Sequence, residues 1–134
     1  MKLLVINPNT TQAMTKSIEE MANMYSLKSS HITTISPSWG PRSIEGHFEE
    51  QIAALATIET VALNEDKYDA FVIACYGDPA VAACRELTNK PVIGIGEASM
   101  HMACFLGHKF SIITVIPRAK PLLLDLVNNL GLNQ

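Results

Sequence analysis

Short apolar runs alternate along this chain with longer segments whose apolar residues recur every three or four positions. The runs Leu3–Ile6, Ile32–Ile35, Ala70–Cys75, Pro91–Ile95 and Phe110–Ile116 read as five β-strands. Helical spacing links Met14, Ile18, Met21 and Tyr25, and then Ile44, Phe48, Ile52, Leu55 and Ala62 as the apolar face of a long helix. Further helices are predicted from about Asp78 to Leu87, over Glu97–Leu106, and along Leu122, Leu123, Leu126 and Leu130, where Gly131 supplies the stop. Asn7-Pro8-Asn9-Thr10-Thr11 carries turn and N-cap chemistry, because Asn and Thr oxygens accept from free helix amides. Ser36-Pro37-Ser38-Trp39-Gly40-Pro41 reads as an irregular loop.

Strands spaced by helices imply an α/β fold: a mostly parallel sheet with helices on both faces and right-handed crossovers. Continuous apolar strands agree, since a half-exposed antiparallel strand would alternate. The sequence shows no internal repeat, low-complexity tract or linker.

Composition narrows the functional classes. A chain of 134 residues can form one domain with a real core, and 48% hydrophobic with 17% charged residues is ordinary for a globular protein. A net charge of −3 without a basic stripe argues against a nucleic-acid partner. Met1–Asn7 starts like a signal peptide, but its apolar run is too short, and no stretch approaches a membrane span. The expectation is a cytoplasmic protein with no membrane partner. Three irregularly spaced cysteines do not make a disulfide framework and fit a reducing compartment.

Candidate chemistry follows from topology. The segments Asn7–Thr10, Ser36–Ser43 and Cys75–Asp78 each follow a parallel strand, so they share one rim of the sheet, where α/β proteins build their sites. Cys75 is the leading candidate for a catalytic side chain, a strand-end thiol before a helix N-terminus, which favours the thiolate. Space-filling is the plain alternative for a lone cysteine. Asn9 and Thr10 can offer amide and hydroxyl groups to a carboxylate or imide, or simply cap a helix. The backbone amides around Tyr76 and Gly77 can receive an oxyanion. Cys84 and Cys104 fall in helices and read as packing residues. His101, Cys104, Cys84 and His108 lack any CxxC or HxxxH spacing, so no metal is expected. Gly94-Ile95-Gly96-Glu97 has only half of a dinucleotide fingerprint, and Glu97 would repel a pyrophosphate, so a structural turn is expected there.

Five segments in order carry a wider pattern: Ile6-Asn7-Pro8-Asn9-Thr10-Thr11, Gly40-Pro41-Arg42-Ser43-Ile44-Glu45, Ala74-Cys75-Tyr76-Gly77-Asp78-Pro79, Pro91–Ala98 and Phe110–Thr114. Together they resemble the hydantoin and allantoin racemase branch of the aspartate/glutamate racemase superfamily, over nearly the whole chain. The resemblance implies flavodoxin-like α/β lobes around a cleft, no cofactor, and one catalytic cysteine from each lobe. One thiolate would remove the proton from the stereogenic carbon, and the opposite thiol would return one. Cys75 matches the first-lobe cysteine. Asn9 and Gly77 match positions that would contact substrate, a small molecule with a carbonyl beside its stereocentre, and Thr114 lies where the second lobe's first strand would present a polar residue to the cleft; Thr10, Ile44 and Tyr76 are expected to join them.

Family members run to roughly twice this lobe, and neither Cys84 nor Cys104 has the Gly-rich strand-end context of the second cysteine. The expected organisation is a first lobe over residues 1–97 and the opening segment of a second lobe over 98–134. Three readings follow: a truncated racemase with half of a two-thiol site, a homodimer that pairs two copies of Cys75, or a non-catalytic small-molecule-binding module. The apolar face of Leu122–Leu130 and the strand at Phe110–Ile116 are expected to leave an exposed edge, which favours a homo-oligomer.

Overall fold

A computed structural model describes residues 1–133. Four parallel strands form one sheet: β1 (Lys2–Ile6), β2 (His31–Ile35), β3 (Ala70–Ile73) and β4 (Val92–Gly94), in the order β2-β1-β3-β4. The register sets Ile6 level with Ile35 on one side and with Ile73 on the other, and Ile73 level with Gly94. The helices are α1 (Gln12–Met24), α2 (His47–Ala62), α3 (Val81–Leu87), α4 (Ile95–Leu106) and α5 (Lys120–Asn129). Short 3-10 turns at Glu65–Lys67 and Pro117–Ala119 lead into β3 and α5.

The core lies on one face of the sheet. Alternation along β1 sends Leu4 and Ile6 to that face, and the parallel register places Phe71, Ile73 and Val92 beside them. Val61 from α2, with Val81 and Cys84 from α3, completes this buried cluster. Phe71, Leu4, Ile6 and Ile73 are fully enclosed, and each such side chain contributes roughly 1.5–3 kcal/mol by leaving water.

α2 buries a different stripe from the one its large residues suggest. Ala53, Ala56, Thr57, Thr60 and Val61 face inward, at helical spacing. Phe48 and Leu55, expected on the buried face, are 70% and 62% exposed. Small side chains let the helix lie close against its neighbours, so size decided the face rather than hydropathy. α1 behaves similarly: Thr15 is its buried residue, whereas Met14, Met21 and Tyr25 stay exposed. Coverage of the second sheet face is therefore partial, and Ile93 on β4 remains 45% exposed.

Three other boundaries differ from the sequence reading. The helix expected from Ile44 starts at His47, after Gly46 in extended conformation. The helix expected from Asp78 starts at Val81, because Asp78 and Ala80 hold left-handed backbones, with φ of 50° and 64°. Phe110–Ile116 forms no strand among the described residues. It lacks a neighbouring strand to pair with, and Ile113 and Val115 stand about fully exposed. The stop at Gly131 is realised: its φ is 69°, and Leu132 N–H donates to Val127 O while Gly131 N–H donates to Asn128 O, both at 3.0 Å.

Burial predicts a sharp contrast between two phenylalanines. Phe71→Ala should cost about 3–5 kcal/mol in a urea titration, whereas Phe48→Ala should stay within about 0.5 kcal/mol. Equal losses would refute this assignment of the core face.

Candidate active site

The sheet order places a switch point between β1 and β3. From β1 the chain moves outward to β2, and from β3 it moves the other way to β4. The loops at these carboxyl ends diverge and leave a crevice, the usual ligand position in open α/β sheets. Asn7–Thr11 leaves β1 at this point, Cys75–Asp78 leaves β3, and the loop after β2 lies beside the first.

The Asn-rich loop is built on a fully buried side chain. Asn7 Nδ2 donates to Asn9 Oδ1 and to Thr15 Oγ1, both at 3.0 Å, and Asn7 Oδ1 accepts from Asn9 N–H at 3.3 Å. Asn9 Oδ1 also accepts from Thr11 N–H at 2.9 Å, so its carbonyl serves the start of α1. Its Nδ2 meets the Met14 thioether at 3.0 Å, a weak acceptor that a substrate carbonyl could outcompete. Thr10 is committed to the scaffold: its N–H and Oγ1 both donate to Pro41 O, at 2.9 and 3.2 Å. Thr11 Oγ1 adds a bond to Arg42 O at 2.6 Å, so two loops move as one wall.

Cys75 sits two residues past the end of β3, half-buried. The last ladder bond runs from Ala74 N–H to Ile6 O at 2.7 Å, and Asp78 N–H then closes a turn onto Cys75 O at 3.0 Å. Burial pushes the Cys75 thiol above its ordinary range; the Gly77 amide opposes this, while the charges of Asp78 and Glu50 add to it. The resting side chain is therefore a neutral thiol. Helical stabilisation of a thiolate does not reach it, since α3 begins only at Val81.

Asp78 is buried at the far end of this turn. Its carboxylate accepts from Gly96 N–H at 2.8 Å and from Glu97 N–H at 2.5 Å, in the first turn of α4. Burial raises its pKa to about 6 against the pull of those two amides; the Glu97 charge raises it further and Arg85 lowers it. The Gly94-Ile95-Gly96 pattern now has its reason. A Cβ at Gly94 would overlap the Asp78 carboxyl, and one at Gly96 would overlap Tyr76 O. Glu97 accepts from Gly94 N–H at 3.2 Å and pairs with Arg85. α5 presses on the same turn: Leu122 fills the space beside Gly77, and Leu126 lies beside Gly96. The apolar face of α5, expected to be open, is thus partly covered by the lobe.

The other sequence candidates are dispersed. Tyr76 is on the rim and exposed, and Ile44 is half-buried in the loop before α2. Thr114 lies apart, exposed along a cavity of ≈ 870 Å³ with Cys104, Phe110 and Leu123. A smaller cavity of ≈ 420 Å³ flanks the cysteine turn and is lined by Glu50, Gly77, Asp78 and Asp125 among others. Cys84 is buried and Cys104 exposed, and among the described residues no three His, Cys, Asp or Glu side chains gather as metal ligands. Asn7 and Asp78 fell inside the rim segments read from the sequence but were given no individual role, and Glu50 was not singled out. Asn7 had one signal, a polar residue directly after an apolar strand; Glu50 had none, because only folding brings α2 to Cys75.

Residues 3–134 match the model of the Asp/Glu/hydantoin racemase family. The chain belongs to that family. It is similar to the hydantoin racemase of Pseudomonas sp. (strain NS671), 47% identical over all of this chain and 54% of the relative. The hydantoin racemase of Paenarthrobacter aurescens is 44% identical over 98% of this chain and 56% of its own. Among solved structures, allantoin racemase from Klebsiella pneumoniae superposes with a TM-score of 0.97 at 43% identity, covering all of this chain and 55% of that one. The chain spans about half the length of the curated relatives it matches. This likeness confirms the α/β fold class.

The electrostatics around Cys75 predict its reactivity. Alkylation of Cys75 by iodoacetamide should rise with pH through a midpoint above the ordinary thiol range. Glu50→Gln removes a negative charge that disfavours the thiolate, so its midpoint should fall and its rate at neutral pH rise several-fold. Peptide mass spectrometry separates Cys75 from exposed Cys104; an unchanged midpoint in the variant would remove Glu50 from the site.

Proposed function

We propose that this chain is the Cys75-bearing half of a cofactor-independent racemase acting on hydantoin or allantoin rings or related amino-acid derivatives. Residues 1–97 form the first lobe in this reading, and 98–134 open the second. The observation that carries it is the position of Cys75 beside the β1/β3 switch point, in a chain matched along its length by proteins named hydantoin racemase.

Chemistry supplies the rest. The stereogenic C–H of such a ring lies next to a carbonyl. The ionised fraction of Cys75 takes that proton: the C–H bond breaks, an S–H bond forms, and the electron pair moves onto the carbonyl oxygen. The amide of Tyr76 and Asn9 Nδ2 are the donors for that developing charge, while the Gly77 amide faces the Cys75 sulfur. Reversal returns a proton from the thiol. Because the resting group is a thiol, Cys75 suits the proton-returning half of an inversion, with an opposing thiolate as base. Ile44 and Tyr76 would border the ring, and Thr114 would take part only with further structure around it.

A symmetric pair of copies is a second reading, favoured by exposed apolar residues. Phe105 and Leu106 are each 83% exposed, and Ile113 and Val115 more so. Pairing of two chains over this surface would make a homo-oligomer.

Isotope exchange tests both. A single enantiomer of a 5-substituted hydantoin, or of allantoin, is incubated with the chain in deuterated water. α-Deuterium uptake above background, abolished by Cys75→Ser, is expected. Loss of optical rotation alongside uptake would show that a second copy completes the site, and retention would show a half-site. Absence of uptake with ligand bound would replace the racemase reading with a binding module.

A further inference from the structure

The turn that carries Cys75 is held from outside itself. Asp78 adopts a left-handed backbone, φ 50°, that residues other than glycine seldom enter. Its buried carboxylate is spanned by two amides of α4. Two glycines, 94 and 96, clear the space that the carboxyl and the Tyr76 carbonyl occupy. These features converge on one group, although helix capping alone would require neither the strained backbone nor the two glycines. Its charge also bears on Cys75 three residues away, so the group that places the thiol tunes it.

We infer that Asp78 is the positioning residue for Cys75: clamped by the Gly96 and Glu97 amides, it fixes the cysteine turn at the rim and sets the thiol against a negative neighbour. This rests on Cys75 being the proton-transfer thiol. The charged groups around the pair are Glu50 on α2, Arg85 on α3 and Glu97 on α4. Arg85 pairs with Glu97, and Glu50 accepts from His47 Nδ1 at 3.1 Å, so Asp78 is the carboxylate in the cysteine's own turn. The clamp suits a carboxyl on a short arm. A Glu at this position would carry the same charge on a longer arm into space that Gly94 and Gly96 leave for one methylene fewer.

Position and charge can therefore be separated. Asp78→Asn keeps the outline and removes the charge, but it also turns one of the two accepting oxygens into an NH2 donor that faces an amide N–H. The pH midpoint of Cys75 alkylation in the 134-residue chain should fall, and the rate at neutral pH should rise several-fold. Asp78→Glu restores the charge, so its midpoint should return toward that of the unaltered chain, while α-deuterium exchange drops about tenfold or more because the thiol is misplaced. In the unaltered chain, the Gly96 and Glu97 amide resonances and the Cys75 Cβ resonance should titrate together with a midpoint near 6. That measurement needs no variant and decides the inference if Asp78→Asn does not fold. An alkylation profile of Asp78→Asn that superimposes on the original overturns it. So does a Cys75 resonance that stays still while the amides titrate, or full exchange in Asp78→Glu. If the unaltered chain exchanges no α-deuterium, the racemase reading fails, and the alkylation and resonance titrations still decide the role of Asp78.

Discussion

Every loop at the candidate site is placed by one constraint: β1 must satisfy its backbone groups on both sides at once. It lies between β2 and β3, and its amides and carbonyls have no water to turn to. Pairing on both sides sets Ile35, Ile6 and Ile73 level. Three loops therefore begin at the same height, and the switch in chain direction opens a crevice between two of them. The buried face holds the arrangement, since a one-residue slip of β1 would exchange Leu4 and Ile6 for Leu3 and Val5 in the core.

The rim is costly to build, because polar groups must be buried to hold it. Asn7 and Asp78 are the two main cases, and both are satisfied. Asn7 spends both of its side-chain polar atoms on the loop and α1, and Asp78 takes two helix amides. A bond from a buried amide to a charged group contributes roughly 1.5–3 kcal/mol, but losing one partner leaves the other unpaired at similar cost. Rigidity and vulnerability come together: the wall that fixes the crevice has no spare partners. Thr10 shows the same economy, since both of its donors go to Pro41 O.

Burial also sets the chemistry of the thiol. Taking Cys75 partly out of water raises its pKa, and two carboxylates, Asp78 in its own turn and Glu50 on α2, reinforce the effect. A thiol that keeps its proton is a poor resting nucleophile, although it has a proton available to give.

Much of the fold was legible in the sequence because strand and helix periods are local properties. Four strands, five helices and the stop at Gly131 follow from spacing alone, and parallel alternation was enough to bring the Asn-rich loop and the Cys75 turn to one rim. Cys75 itself was legible as a residue at a strand end followed by Gly-Asp-Pro. Tertiary structure decided the rest. Which stripe of α2 is buried depended on how closely small side chains approach the sheet, not on hydropathy. Phe110–Ile116 has strand composition, yet a strand exists only where a neighbour accepts its hydrogen bonds. The purpose of Gly94 and Gly96 was invisible until Asp78, 16 and 18 positions earlier, was seen to fill the space they leave. Local patterns determine what a segment can be; only contacts between segments determine which faces close, which strands pair and which charges surround a thiol.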